Sequence, residues 1–319
     1  MSFSGKVKEE LSQQLPTARH CQIAELAAIL SFCGSVIIDS REQFSIKIHT
    51  ENIAVARKCF TLIEKTFNIE TENAIRRNQA RGSTIYSVAV KSHTDAVRIL
   101  QAVKLLDREG EVFEEMSVVK NIVVQQMCCR RAFLRGAFLA AGSMSDPEKS
   151  YHFEIVCASE ARAVQLQTMM DSFGVDAKIV LRKKTYVVYL KEGSQIVDML
   201  NVMEAHVALM DLENVRILKE MRNSVNRIVN CETANIHKTV SAAVKQLEDI
   251  KYIQDTIGLD VLTEGLKEMA LVRLEHPEAT LKELGQLLSS PVGKSGVNHR
   301  LRKLSEIADR ARENKEEVL

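Results

Sequence analysis

The chain reads as an α+β protein in two parts. An α-β-β-α-β-β-α unit occurs twice, each copy with a four-stranded antiparallel sheet, and the copies are related by a pseudo-two-fold. An all-α domain follows. Three observations predict this. Two short apolar segments that end in glycine, "LAAILSFCG" (Leu26 to Gly34) and "LRGAFLAAG" (Leu134 to Gly142), align without gaps. The order of alternating and helical segments after the first returns after the second. Strand alternation ceases at about residue 204, and beyond 261 three short helical patterns follow.

The elements follow in order. Residues 1–20 carry a polar, amphipathic helix, and the duplicated domain spans 21–205, with halves at about 21–110 and 118–205. In each half the apolar helix leads into a hairpin. The first is "SVIIDSREQFSIKIHT"; the second closes on "YHFEIVCA". A helix comes next, Glu51 to Phe67 and then Ser159 to Phe173. Two strands and a closing helix complete each half; in the second they are "DAKIVLR", "TYVVYLK" and Ser194 to about Met203. Small residues recur every four positions on both apolar helices, at Ala24 and Ala28 and at Ala132, Gly136 and Ala140. Such a stripe lets two backbones approach closely, so the two helices are expected to pack on each other. Gly34 and Gly142 are expected as left-handed caps. Residues 206–260 lack strand alternation and form a helical linker, either one helix interrupted at its asparagines or a pair.

The final domain, 261–319, holds the most specific pattern. The helix from Leu266 stops at Pro277. Thr280 caps "LKELGQLL", with Glu283 completing a capping box. After the turn "SSPVG" a longer helix presents Val297, Leu301, Leu304 and Ala308 to the core. Three such helices read as a helix-turn-helix, with Gly285 as the small residue where the third crosses the second. The turn is about two residues longer than the tight form. From Pro291 to Leu304 there are four Lys/Arg and no acid.

Those residue types suit double-stranded DNA. Lys and Arg pair with phosphate, and Arg and Asn also read base edges. Ser295, Asn298, His299 and Arg302 are expected to face bases, with Lys294, Arg300 and Lys303 nearer phosphates. Thr280, Lys282, Ser289, Ser290 and Gly296 complete the expected interface. A solvated basic helix, or one that docks on a protein, is the alternative.

Composition bounds the rest. A net charge of +1 gives no global case for nucleic acid, so the argument is local. No stretch approaches the roughly 18 apolar residues of a membrane span, and the polar N-terminus leads us to expect a cytoplasmic protein without membrane association. The seven cysteines include no Cys-x-x-Cys pair. Neither a metal site nor a cofactor or small-molecule substrate is expected; reduced, mostly buried thiols are.

The duplicated unit resembles the LAGLIDADG homing endonucleases through its two apolar segments. The resemblance implies that these helices form the pseudo-symmetric interface. In those enzymes an acid at the eighth motif position binds the divalent metals that cut DNA. Here that position holds Cys33 and Ala141, so no catalytic residue is expected. Asp39 and Asp146 lie in the following hairpin or turn and are not expected to replace those acids. An active metal-dependent nuclease remains the alternative.

The whole chain is similar to the WhiA family, through "SGKVKEEL", "CCRRAFLRGAFLAAGS", "NRIVNCETANIHKTVSAA" and "HPEATLKELGQLLSSPVGKSGVNHRLRKL". This implies a non-enzymatic, nucleoid-associated DNA-binding regulator tied to cell division and chromosome segregation. In sporulating relatives it implies transcription of sporulation-linked genes. Homing endonucleases lay paired sheets over DNA as a saddle. Basic residues at the inter-strand turns, Arg76, Arg77 and Arg81 and then Arg182, Lys183 and Lys184, stand where secondary DNA contacts would form. So do Lys120, Arg130, Arg131 and Arg135, before and within the second motif. Solvated hairpin tips, or a protein partner on this half, explain the same residues.

Overall fold

Two copies of one helix-and-sheet unit open the computed structural model, which describes residues 2–78, 82–106 and 120–316. Contacts divide the chain into a unit over 1–220 and another over 221–319. In the first, α1 (Phe3–Gln13) precedes α2 (Arg19–Cys33), β1 (Gly34–Ile38), β2 (Phe44–Thr50), α3 (Ile53–Phe67), β3 (Glu72–Asn78), β4 (Ser83–Val90) and α4 (His93–Ala102). The order returns as α5 (Met127–Ala141), β5 (Gly142–Met144), β6 (Phe153–Cys157), α6 (Glu160–Asp171), β7 (Lys178–Arg182), β8 (Thr185–Leu190) and α7 (Gly193–Met203).

Among the described residues each copy forms one four-stranded antiparallel sheet, ordered β1-β2-β4-β3 and β5-β6-β8-β7. Period-two patterning decides which face is covered. Ile46, Ile48, Val88 and Val90 are buried in the first sheet, and Phe153, Ile155, Val188 and Leu190 in the second. Side-chain caps start the covering helices: Asn52 at α3, Ser92 at α4 and Ser159 at α6 each accept a backbone N–H two or three residues on.

The halves meet where α2 packs on α5. A Cβ on Gly136 would stand 2.5 Å from the Glu25 carbonyl oxygen and 2.9 Å from the Ala28 Cβ, so only glycine permits this approach. Ala24, Ala27, Ala28, Ala132 and Ala137 are buried around it. The glycines that end these helices correct an expectation. Gly34 (φ −90°, ψ 157°) and Gly142 (φ −83°, ψ 153°) are extended, not left-handed. What they supply is room: a Cβ on Gly34 would lie 2.5 Å from the Leu30 carbonyl oxygen, and one on Gly142 would overlap the Phe138 ring.

A buried ion cluster ties this junction to its surroundings. Glu25 on α2 is fully buried, and its Oε1 lies 3.0 Å from Lys58 Nζ on α3 and 3.3 Å from Arg135 Nε on α5. Arg135 Nη1 also donates to Glu204 Oε2 at 2.5 Å and to the Met203 carbonyl at 3.3 Å. Lys58 donates to the carbonyls of Leu11 in the last turn of α1 and of Gln14 just past its end. Burial raises the Glu25 pKa and lowers that of Lys58, each opposed by their mutual attraction. Arg135 is thereby withdrawn from the basic surface to which sequence grouping assigned it.

The linker segment is one unbroken helix, α8 (His206–Thr256). Asn223, Asn226, Asn230 and Asn235 sit within it, exposed, and do not break it. In the second unit α9 (Glu264–Glu275), α10 (Leu281–Leu287) and α11 (Lys294–Glu316) follow. Ile250 and Ile253 of α8 join Leu266, Met269, Leu284, Leu288, Val297, Leu301, Leu304 and Ala308 in one core.

Two substitutions test the junction. Glu25→Ala leaves Lys58 and Arg135 buried without their shared carboxylate and should cost about 3–5 kcal/mol in urea unfolding. Gly136→Val should lower the unfolding midpoint at least as visibly as a typical overpacking change, about 1–3 kcal/mol.

Candidate nucleic-acid interface

Local chemistry sets the second and third helices of the C-terminal unit. Thr280 accepts from Glu283 N at 3.3 Å while the Glu283 carboxylate accepts from Thr280 N at 2.7 Å, the expected capping box. That hydrogen bond holds the Glu283 pKa below the usual carboxylate value. Glu268 of α9 accepts from Ser289 N at 2.5 Å and is lowered for the same reason, which anchors the turn. Gly285 has no space for a Cβ, which would strike the Val292 carbonyl and stand 3.1 Å from Val297 Cγ2. Glycine there lets the turn and α11 lie directly on α10. The Val292 N–H bonds the Gly285 carbonyl at 3.0 Å.

With Val297, Leu301, Leu304 and Ala308 buried, the opposite face of α11 is settled. Ser295, Asn298, His299 and Arg302 fall at i, i+3, i+4 and i+7 and are all exposed. Lys294 and Lys303 are exposed on its flanks, as are Thr280, Lys282, Ser289 and Ser290 nearby. Gly296 is half-buried against Val292. Arg300 turns aside: half-buried, it donates from Nη1 to the Gly265 carbonyl at 3.4 Å and packs on the start of α9. Glu306 joins the exposed face one turn beyond Arg302, with Oε1 3.5 Å from its Nε. Both side chains are mostly solvent-exposed, so the pair is weak and Arg302 can be drawn to another anion. The i+4 spacing alone would have signalled Glu306.

At the motif tips Cys33 bonds the Ile29 carbonyl of its own helix at 3.3 Å. Burial pushes its thiol up to about 12, against the pull of the nearby Lys8 ammonium. Lys8 itself is lowered by burial to about 8 and so is still mostly charged at neutral pH. It is an ammonium, rather than a carboxylate, that accompanies the Cys33 tip. Asp39 accepts from the backbone of Arg41 and Gln43, and Asp146 from that of Glu148, so both carboxylates serve their own turns.

The basic turns are dispersed. Strand pairing places Arg76 on the open face of the first sheet with Lys47 and His49, and Arg182 at the equivalent position of the second. Arg77 points to the other face. Arg182 is paired with Glu154 at 3.3 Å, and Lys183 and Lys184 are exposed at the turn, Lys183 with φ 58°. Arg130 donates to the Val124 carbonyl, Arg131 lies over the Phe173 ring, and Lys120 is exposed. Arg81 lies outside the described residues.

One cluster went unexpected. Ligand atoms of His20, Cys21, Cys128 and Cys129 all lie within 4.8 Å of one another. Linear spacing gave no sign of it because two adjacent pairs, 108 residues apart, converge only when α2 and α5 pack.

Comparison with known proteins gives a consistent assignment. Models of three protein domains match: the WhiA N-terminal LAGLIDADG-like domain over residues 19–106, the WhiA LAGLIDADG-like domain over 130–222 and the WhiA C-terminal HTH domain over 225–308. A "Probable cell division protein WhiA" of Lachnoclostridium phytofermentans is 61% identical, with 98% of this chain and 100% of the relative aligned. One of Alkaliphilus oremlandii is 51% identical over 99% of each. Among solved structures, full-length WhiA of Thermotoga maritima superposes with a TM-score of 0.59 at 25% identity, covering 97% of this chain and 99% of that one.

With a thiol and a methyl at the tips, the expected outcome with supercoiled plasmid and magnesium is intact plasmid. Gel analysis of nicked and linear forms over time checks it; sustained metal-dependent cleavage would contradict the reading.

Proposed function

The chain belongs to the WhiA family, and on that premise we propose that it is a non-enzymatic DNA-binding regulator of cell division. The observation that carries this is the exposed face of α11. Ser295, Asn298, His299 and Arg302 form a continuous row of hydrogen-bonding side chains, opposite a row of buried apolar ones. In this reading α11 enters the major groove and that row meets base edges. Lys294 and Lys303, with Thr280, Lys282, Ser289 and Ser290 of the α10 side, contact the flanking backbone. Arg300 supports the reading helix from behind rather than gripping phosphate.

The duplicated unit acts here as scaffold and secondary contact. Arg76 and Arg182, at equivalent positions on the two open sheet faces, support phosphate contacts, with Lys183 and Lys184 at the adjoining turn; Arg77, on the opposite face, does not join them. The pairing of Arg182 with Glu154 makes this contact weaker than that of α11. A protein partner on the duplicated unit, roles in chromosome segregation and sporulation-linked transcription, and nucleoid association belong to the same proposal. The names of the relatives support the division role. Among the described residues no helix is long and apolar enough to cross a membrane.

Equilibrium binding at several salt concentrations tests the reading, on sites recovered by genome-wide mapping. Arg302→Ala should weaken specific binding about tenfold to a hundredfold and relax preference at one base position. Lys303→Ala should weaken all sequences alike and reduce the log–log salt slope by about 1. If the Arg302→Glu, Lys303→Glu pair leaves affinity and slope unchanged, α11 is not the reading helix.

A further inference from the structure

We propose that His20, Cys21, Cys128 and Cys129 form a tetrahedral site for one zinc ion that fastens together the first turns of the two motif helices. The four side chains come in two pairs. His20 and Cys21 are the second and third residues of α2; Cys128 and Cys129 are the second and third residues of α5. The pseudo-two-fold that relates the helices therefore brings two ligands from each half to one point.

The geometry suits this ion. His20 Nδ1 stands 3.1 Å from Cys129 Sγ and 3.3 Å from Cys21 Sγ, and all four ligand atoms fall within 4.8 Å. Around a tetrahedral zinc with Zn–S near 2.3 Å and Zn–N near 2.0 Å, neighbouring ligand atoms are about 3.5–3.8 Å apart. The observed separations bracket that range, so small side-chain rotations bring the four onto a common centre. Three sulfurs and one imidazole form a recognised structural zinc set, and their softness disfavours magnesium and calcium.

One further feature supports a ligand rather than thiols that merely pack. Cys21 and Cys129 are buried, whereas His20 and Cys128 are exposed, so a route from solvent is open and the exposed pair adds nothing to the core. Zinc at this place would join residues 108 positions apart and act on the junction between halves from the end opposite Cys33 and Ala141.

The full-length chain, stripped with chelator under reducing conditions, should take up one equivalent of cobalt(II). Thiolate-to-cobalt charge transfer and tetrahedral d–d bands should appear, and zinc should displace them. Zinc at about a hundred times its dissociation constant should raise the melting temperature by about 5 °C or more. Cys128→Ser and His20→Asn change exposed residues and should fold as the parent does, but lose stoichiometric uptake and the zinc-dependent shift. Cys231→Ser, on α8, should keep both. The proposal is overturned if the parent binds less than one equivalent or if Cys128→Ser keeps full charge-transfer intensity. It is equally overturned if protein isolated without reductant holds Cys21, Cys128 or Cys129 in a disulfide.

Discussion

Glu25, buried on the first motif helix between a lysine from its own half and an arginine from the other, is the constraint on which the duplicated unit depends. Taking a carboxylate out of water costs several kcal/mol, and only partners at hydrogen-bonding distance offset that. Arg135 and Lys58 provide them, and each is held by further acceptors: Glu204 and the Met203 carbonyl for Arg135, the Leu11 and Gln14 carbonyls for Lys58. The cluster thus reaches α1, α2, α3, α5 and the end of α7. Apolar helices rich in alanine could slide along one another at little cost. A charge that finds its partners in one register only removes that freedom.

The same junction explains what became of the motif helices. Gly136 and the surrounding alanines bring the backbones together, and Gly34 and Gly142 make room where each helix passes into its first strand. All of this is packing. The tips, where an enzyme of this architecture would hold metal-binding acids, carry a thiol that burial keeps protonated and a methyl group, with an ammonium close by. The pairing of the halves and the chemistry at the tips are separable properties, and this chain keeps the first without carboxylates at the second.

In the C-terminal unit the division of labour on α11 follows from which residues its core claims. Val297, Leu301, Leu304 and Ala308 turn inward, and the polar row on the other side follows at once from helical geometry. Arg300 and Arg302 are two residues apart and chemically identical, yet one packs on α9 and the other stands in solvent. Sequence reasoning grouped Arg300 with phosphate-facing residues because charge alone does not distinguish them. The carbonyl of Gly265 does.

Local rules were enough for much of this molecule. Period-two and period-3.6 patterns place the strands and helices, the repeat of their order predicts two like sheets, and the Thr280–Glu283 capping box and the Gly285 crossing are legible from side-chain chemistry and size. Three further matters were decided only by the three-dimensional structure, two of them because they depend on residues far apart in the chain. Arg135 looks like surface charge until Glu25 and Glu204 surround it. Gly34 and Gly142 look like left-handed caps, since glycine's freedom of φ and its lack of a Cβ leave the same letter in a sequence. His20 with Cys21 and Cys128 with Cys129 look like unremarkable pairs; only the packing of α2 on α5 brings an imidazole and three sulfurs within reach of one another.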